Sequence, residues 1–164
     1  MSDLRVGIGV DAHAFSEEAT LVLGGVELPG PGLAGHSDGD VISHALIDAI
    51  LGAAGLEDIG ALFPSGETRW QGSSSLDLLK RAYEDAQGAG WELVNADCVL
   101  IGEEPRIAPV RDELRKRLSG VLGVEMARIT VRATMTDRLG FTGRAEGLAA
   151  QAVALLRRRD TIDA

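Results

Sequence analysis

From Asp38 onward the hydrophobic period of the chain changes, and that change constrains the fold more than any other feature. Val41, Ile42, Ala45, Leu46, Ala49, Ile50 and Ala53 recur at helical spacing as one apolar stripe. The spacing predicts a helix over residues 38–54, with Gly55 as its stop. Upstream, the period is that of strands. Residues 4–10 alternate small and branched side chains, and residues 21–23 and 26–28 flank Gly24-Gly25, a two-residue hairpin signal. Residues 29–35 read as a glycine-rich loop between the two regimes.

Downstream, residues 58–72 carry Gly60, Pro64, Gly66 and Gly72 and predict an irregular loop. Helical spacing returns over 73–89, where Leu76, Leu79 and Tyr83 share a side. Residues 91–101 read as a strand, 105–122 as a helix with Pro105 near its first turn, and 129–135 as a strand. Residues 144–158 predict a last helix whose Arg157-Arg158-Arg159 end complements the helix dipole. The expected fold is α+β: a single mixed sheet of about four main strands covered by helices. The 164 residues suit one catalytic domain, 1–164, without repeats or linkers. Aromatic residues are only 4% of the chain, so the core must be built from Val, Leu, Ile and Ala.

Other properties exclude function classes. A formal charge of −9 disfavours generic binding to nucleic acid or anionic membrane, and any phosphate chemistry needs local cations from metal ions or a few placed arginines. Cys98 is the only cysteine, so no intramolecular disulfide can form, and a reducing cytoplasmic setting fits. No apolar run approaches the ~18–20 residues of a membrane span. Met1-Ser2-Asp3-Leu4-Arg5 carries no signal-peptide pattern.

Asp11 and His13 follow the first strand as Asp-x-His, and in extended chain such residues point to one side. Together with His44 on the first helix they make a carboxylate and two imidazoles, a common zinc shell with a fourth position open. Asp40, His44 and Asp48 share one helical face, so Asp40 or Asp48 could orient the His44 ring. Singly, Asp-x-His arises by chance, and a helical histidine is ordinarily packed or solvated. Here all three histidines fall within the first 44 residues, beside Asp11, Asp38, Asp40 and Asp48. In the stretch from Gly35 to Asp40, Ser37 or Asp38 is a natural N-cap, and the same free N–H groups could receive an anion. Thr134-Met135-Thr136-Asp137, then Leu139 to Arg144, could hold a phosphate with Mg²⁺, and Arg144 could pair with a diphosphate; an ordinary turn and cap would look the same.

Read in order, Arg5-Val-Gly-Ile-Gly-Val-Asp-Ala-His-Ala-Phe15, Gly35-His-Ser-Asp-Gly-Asp40, His44-Ala-Leu-Ile-Asp48, Asp58-Ile-Gly60, Glu104-Pro-Arg106 and Leu139-Gly-Phe-Thr-Gly-Arg144 resemble the 2-C-methyl-D-erythritol 2,4-cyclodiphosphate synthases. The resemblance covers nearly the whole chain. It implies a phosphorus–oxygen lyase of the non-mevalonate isoprenoid pathway that cyclises CDP-methylerythritol 2-phosphate and releases CMP. It also implies a homotrimer with active sites between subunits. By position, Asp11, His13 and His44 would bind Zn²⁺ or another divalent transition metal. His36 and Ser37 would sit over the reacting phosphates. Asp58, Ile59 and Gly60 would contact the methylerythritol hydroxyls, with Phe63, Pro64, Ser65, Gly66 and Glu67 lining that end. Gly102, Arg106, Ile107 and Ala108 would frame the cytosine. Thr134, Met135, Thr136 and Asp137, from a neighbouring subunit, would hold the phosphates and a Mg²⁺ or Mn²⁺, with Phe141 and Arg144 nearby. His36, Met135 and Asp137 would be the catalytic positions, beside substrate contacts from Asp11 and His13.

The chain departs from the family pattern at three places. Met135 replaces the middle of three threonines, leaving backbone donation alone at a position assigned to the transition state, and Asp137 stands for a common glutamate. Ser65 follows Phe63-Pro64 where an acid is usual. Gln151 stands where relatives that hold an isoprenoid diphosphate on the trimer axis carry glutamate. Gly7, Gly9 and Ala133 are compatible with close packing across a threefold axis. Two other readings share the first cluster: a metal-dependent phosphoester hydrolase and a non-catalytic trimer with structural zinc.

Overall fold

The computed structural model describes residues 3–159; Met1 and Ser2 of the N-terminal stretch lie outside them. Five strands form one mixed sheet: β1 (Leu4–Leu23), β2 (Val26–Leu33), β3 (Trp91–Ile101), β4 (Ile129–Thr134) and β5 (Gly147–Arg158), in the order β2-β1-β5-β3-β4. Antiparallel pairing joins β1 to β2, β1 to β5 and β3 to β5, whereas β3 and β4 are parallel. The α+β class with a mixed sheet is as expected, but the strands number five rather than about four.

The fifth strand is a correction. Residues 144–158 were expected as a helix, yet 147–158 lie at the centre of the sheet. Their alanines and leucines favour a helix locally. Burial follows period two instead: Leu148, Ala150, Ala152, Ala154 and Leu156 are inside, while Gln151, Val153 and Arg157 face out. Tertiary context overrides propensity because a central strand beneath a helix needs small inward side chains. The arginines meet no helix dipole. Arg157 pairs with Glu92, and Arg158 lies 4.6 Å over the Trp91 ring.

Helix α1 (Val41–Ala54) forms as expected and ends on Gly55 in the left-handed conformation. Its N-cap is Asp40 rather than Ser37 or Asp38. Fully buried, the Asp40 carboxylate accepts from Ser43 N and Oγ and from Gly24 N and Gly25 N, at 2.7–3.1 Å. One side chain therefore fixes the helix start to the Gly-Gly hairpin. Burial raises the Asp40 pKa, with the Ser43 and Gly24 donors opposing that rise.

Gly7 and Gly9 set how closely α1 approaches β1. A Cβ on Gly7 would fall 2.0 Å from Ala49 O, and one on Gly9 would fall 1.9 Å from Ala45 O. These glycines thus serve the packing of α1 on β1. The outer face of the same strand carries Val6, Ile8 and Val10, each more than half exposed at 68%, 60% and 62%.

Elsewhere, residues 29–33 belong to β2 instead of a loop. An edge strand tolerates Pro29 and Pro31, which cannot donate to a ladder. Register shifts between Ser16 and Leu21 bend β1 from its β5 partner to β2. The expected loop at 58–72 contains one turn of helix, α2 (Ile59–Leu62), capped by Asp58. Helix α3 (Ser75–Gly88) is as expected. Helix α4 (Arg111–Leu122) starts later than the expected 105, after a 3₁₀ turn at Ala108–Val110 that carries Pro109. The short α5 (Gly140–Gly143) precedes β5.

Two outcomes are expected. Gly9→Ala forces α1 off β1 and lowers stability by about 1–3 kcal/mol or more, measured by denaturant unfolding; an unchanged midpoint would mean the contact is slack. Burial pushes the Cys98 thiol up to about 12, with Asp97 and Asp40 adding to the shift. Native protein should therefore resist alkylation at mildly alkaline pH and react only when denatured.

Candidate metal centre and active site

The register of α1 on β1 dictates what meets beyond the glycines. Two residues along a strand advance about 6.6 Å and four along a helix about 6.0 Å. Gly7 faces Ala49 and Ala53, and Gly9 faces Ala45 and Ala49. The next inward strand residue, Asp11, therefore meets the first turn of α1 at His44, and His13 follows on the same side. His44 Nδ1 lies 3.1 Å from Asp11 Oδ2, His13 Nε2 lies 2.9 Å from the same oxygen, and the two nitrogens are 3.3 Å apart.

Outer partners aim both rings. His13 Nδ1 donates to the Ala34 carbonyl at 2.6 Å, which leaves Nε2 of a neutral ring as a lone pair facing the cluster. His44 Nε2 contacts Ser75 Oγ at 2.7 Å and Ser37 Oγ at 3.0 Å. Neither Asp40 nor Asp48 orients this ring: Asp40 is the helix cap, and Asp48 accepts from Ile59 N at 2.8 Å. Asp38 approaches through Ser75, accepting from its N–H and its hydroxyl. Ser75 was not anticipated, since a serine at a helix start looks like an ordinary cap.

Three acceptors facing one point repel unless a cation lies between them. The titration of the cluster reflects this. The hydrogen bond to Asp11 raises the His13 pKa against the effect of burial. Burial pushes Asp11 up, but its close contacts with the His13 and His44 rings outweigh it and hold the carboxyl low. A tetrahedral centre with bonds of about 2.0–2.1 Å separates its donors by roughly 3.3 Å. The observed separations of 2.9–3.3 Å are close to that, so the donor set fits a divalent metal.

The cluster opens into a cavity of about 250 Å³ lined by Asp11, His13, His36, Ser37, His44, Ile59, Gly60, Phe63 and Ser65, with Trp70 and Leu78 in addition. Trp70 packs edge-on to Phe63 at 4.9 Å between centroids, a pairing the irregular sequence around it gave no sign of. Asp58, Pro64, Gly66 and Glu67 do not line this cavity. Asp58 caps α2 through Ala61 N, Pro64 accepts from Glu67 N, and Glu67 pairs with Arg69.

A second cavity, about 230 Å³, brings together Gly102, Arg106, Ile107, Ala108, Thr134 and Met135, with Glu103 and Arg111. It shares no residue with the first. Thr136, Asp137, Phe141 and Arg144 lie outside both: Thr136 Oγ1 donates to Leu139 O, and Arg144 pairs with Glu146 at 2.6 Å. Asp137 and Arg138 both adopt positive φ, 51° and 66°, a turn that costs energy in non-glycine residues. A larger cavity of about 390 Å³, with Leu51, Leu56, Glu57 and Glu84 in its wall, contains none of the cluster residues.

Sheet, helix layer and an Asp-His-His cluster able to hold a divalent metal, open to a cavity, define the α+β class of this chain and its candidate site. The YgbB family model matches residues 4–157, and the chain belongs to that family. It is 54% identical to the 2-C-methyl-D-erythritol 2,4-cyclodiphosphate synthase of Rubrobacter xylanophilus, over 96% of this chain and 98% of that one. It is 51% identical to the corresponding enzyme of Moorella thermoacetica over 96% and 97%. Among solved structures, IspF of Plasmodium falciparum in complex with CDP superposes with a TM-score of 0.84 at 32% identity, covering 98% of this chain and 99% of that one. The bifunctional IspDF of Campylobacter jejuni gives 0.92 at 40% identity, where this chain accounts for 96% of itself and 43% of the longer protein. Among the described residues, no helix is long and apolar enough to cross a membrane.

Replacing His44 with alanine should abolish stoichiometric uptake of Zn²⁺ while the circular-dichroism spectrum stays that of the folded chain. Undiminished metal content in His44→Ala protein would exclude this residue as a ligand.

Proposed function

We propose that this chain cyclises CDP-methylerythritol 2-phosphate to 2-C-methyl-D-erythritol 2,4-cyclodiphosphate and releases CMP, as a cytoplasmic phosphorus–oxygen lyase of isoprenoid precursor synthesis. The observation that carries the reading is the open Asp11–His13–His44 centre facing His36, Ser37, Ile59 and Gly60 across one cavity. Three ligands with a free side suit catalysis better than structural zinc, which is ordinarily closed by a fourth.

In the reaction an oxygen of the 2-phosphate attacks the β-phosphorus. The bond from that phosphorus to the oxygen bridging the α- and β-phosphates breaks, and CMP departs with the electron pair. Both reacting groups are anionic, so alignment and charge neutralisation dominate. When bound, divalent cations at the Asp11–His13–His44 set and beside Asp137 supply the positive charge that this acidic chain lacks. One exposed carboxylate is enough for Mg²⁺ or Mn²⁺, because substrate phosphates complete the shell.

The chain's own groups do the positioning. His36 and Ser37 reach over the phosphates from the cavity wall. Asp58, held by its cap on α2, and the backbone of Ile59 and Gly60 bind the polyol hydroxyls, with residues 63–67 around them. Gly102 and Arg106–Ala108 receive the cytosine, while Thr134, Met135, Thr136 and Asp137 hold the phosphates and Phe141 and Arg144 border them.

Because those of these residues that line a cavity divide between two with no common member, one chain supplies two half-sites, which a homotrimer would join across its subunit boundaries. The exposed apolar face of Val6, Ile8, Val10 and Val153 supports such an assembly.

Phosphorus NMR of purified protein with CDP-methylerythritol 2-phosphate, Zn²⁺ and Mg²⁺ should show a cyclic diphosphate appearing with CMP, blocked by chelator. CMP with a linear phosphate would make the enzyme a hydrolase instead. Met135→Thr restores a hydroxyl beside the phosphates and should leave turnover unchanged or higher; a large loss would reveal a packing role for an otherwise exposed methionine.

A further inference from the structure

We infer that Asp38 and Ser75 are a positioning pair that locks the His44 ring in the tautomer whose Nδ1 lone pair faces Asp11 and His13. The inference rests on the metal-centre reading and adds to it two residues outside the cavity lining.

The direction of each hydrogen bond follows from what the groups can do. Asp38 accepts from Ser75 N at 2.9 Å through Oδ2 and from the Ser75 hydroxyl through Oδ1. A carboxylate has only acceptors, so the single Ser75 hydroxyl proton is committed to it. Ser75 Oγ is then left with lone pairs alone. His44 Nε2, 2.7 Å away, must donate to it, and the ring proton therefore resides on Nε2. Ser37 Oγ, 3.0 Å from Nε2 and 3.4 Å from Ser75 Oγ, can direct its own proton to Ser75 and complete the arrangement. With its proton on Nε2, a neutral His44 presents the lone pair of Nδ1 to the cluster 3.1 Å from Asp11 Oδ2.

The pair is built into the fold rather than lying on a surface. Ser75 is fully buried at the first turn of α3, and Asp38 supplies the cap that the Ser74 side chain does not. The same carboxylate accepts from Asp40 N at 3.1 Å, which ties the loop before α1 to the start of α3. The ring orientation is thereby coupled to the relative placement of two helices.

Asp38→Asn provides a nearly isosteric test that reverses the bond polarity. Asp38 Oδ2 accepts from Ser75 N and Oδ1 from Asp40 N, so the amide must give up one of the two; keeping the cap on α3 sets its oxygen on Ser75 N and its NH₂ against Ser75 Oγ. The Ser75 hydroxyl then becomes free to donate to His44 Nε2 and favours the opposite tautomer. Two readouts are needed: Zn²⁺ affinity by competition with a chromophoric chelator, and nitrogen-15 imidazole spectra of metal-free protein in mildly alkaline buffer.

Asp38→Asn should lose about 10- to 100-fold in Zn²⁺ affinity and move the His44 proton from Nε2 to Nδ1. Ser75→Ala should lose the Nε2–H preference, and Ser75→Thr, which keeps the hydroxyl, should retain both properties. Weaker metal binding that merely follows a lower melting temperature, with the His44 tautomer unchanged, would overturn the lock. If Asp38→Asn fails to fold, wild-type imidazole spectra in Ser75→Ala would overturn it equally. Wild-type protein that takes up no Zn²⁺ would defeat the metal reading while the imidazole spectra still decide the lock.

Discussion

Gly7 and Gly9 bring the backbone of β1 against the backbone of α1, where the places of their missing Cβ atoms lie 2.0 and 1.9 Å from helix carbonyl oxygens. No other residue type permits that approach, and the Asp11–His13–His44 cluster depends on it. A helix standing further from the sheet would carry His44 away from Asp11, and a shift of one residue in β1 would turn Asp11 and His13 to the outer face with Val10. The alanines of β5 and α1 serve the same end. Ala150, Ala152 and Ala154 keep the sheet low beneath a helix whose contact face is Ala45, Ala49 and Ala53. A core poor in aromatics is therefore the means by which two backbones come close enough to bring Asp11, His13 and His44 together, and composition and site are linked through this packing.

The electrostatics follow the same economy. The chain carries nine excess negative charges, and three of its acids near the centre have separate assignments. Asp11 faces the cluster, Asp38 reaches His44 only through Ser75, and Asp40 is consumed by the helix cap and the Gly24-Gly25 hairpin. Burial without donors would drive the Asp40 carboxyl to its neutral form. Donors from Ser43, Gly24 and Gly25 oppose this, and they also hold in place the hairpin that carries the end of β1. The proton on His13 and a divalent cation compete for one position, since both answer the same convergence of acceptors.

Much of this was legible in the chain itself. The period change at Asp38, the Gly-Gly hairpin and the Asp-x-His pair each have a short-range cause, and each is found where its cause lies. Residues 147–158 were illegible because their strand state is imposed by β1 and β3 on either side and by α1 above, none of which is near in sequence. Gly7 and Gly9 stand out in the sequence, but alternation gives two faces without saying which one a helix covers; their approach to Ala45 and Ala49 is visible only in the fold. Ser75 was hidden for a related reason. Its role depends on Asp38 and His44, each more than thirty positions away, while its local setting explains it fully as the first residue of α3.

The two walls of the cavity at the Asp11–His13–His44 cluster differ in the structure that supports them, and the difference bears on the chemistry proposed. Around Asp11, His13 and His44, β1 and α1 are regular, and the two rings are locked through Ala34, Ser37 and Ser75. Residues 58–72, which would meet the polyol, hold only one turn of α2 and a 3₁₀ turn, anchored by Asp48 to Ile59 N and by the His36 carbonyl to Gly72 N. A phosphoryl transfer between two anions requires that the cation and the electrophilic phosphorus be held rigidly, because misplacement there costs rate directly. The polyol end has a weaker requirement: it must admit the substrate and then close on hydroxyls that do not react. Rigid structure is therefore concentrated where charge develops, and the irregular backbone lies where exchange with solvent is needed.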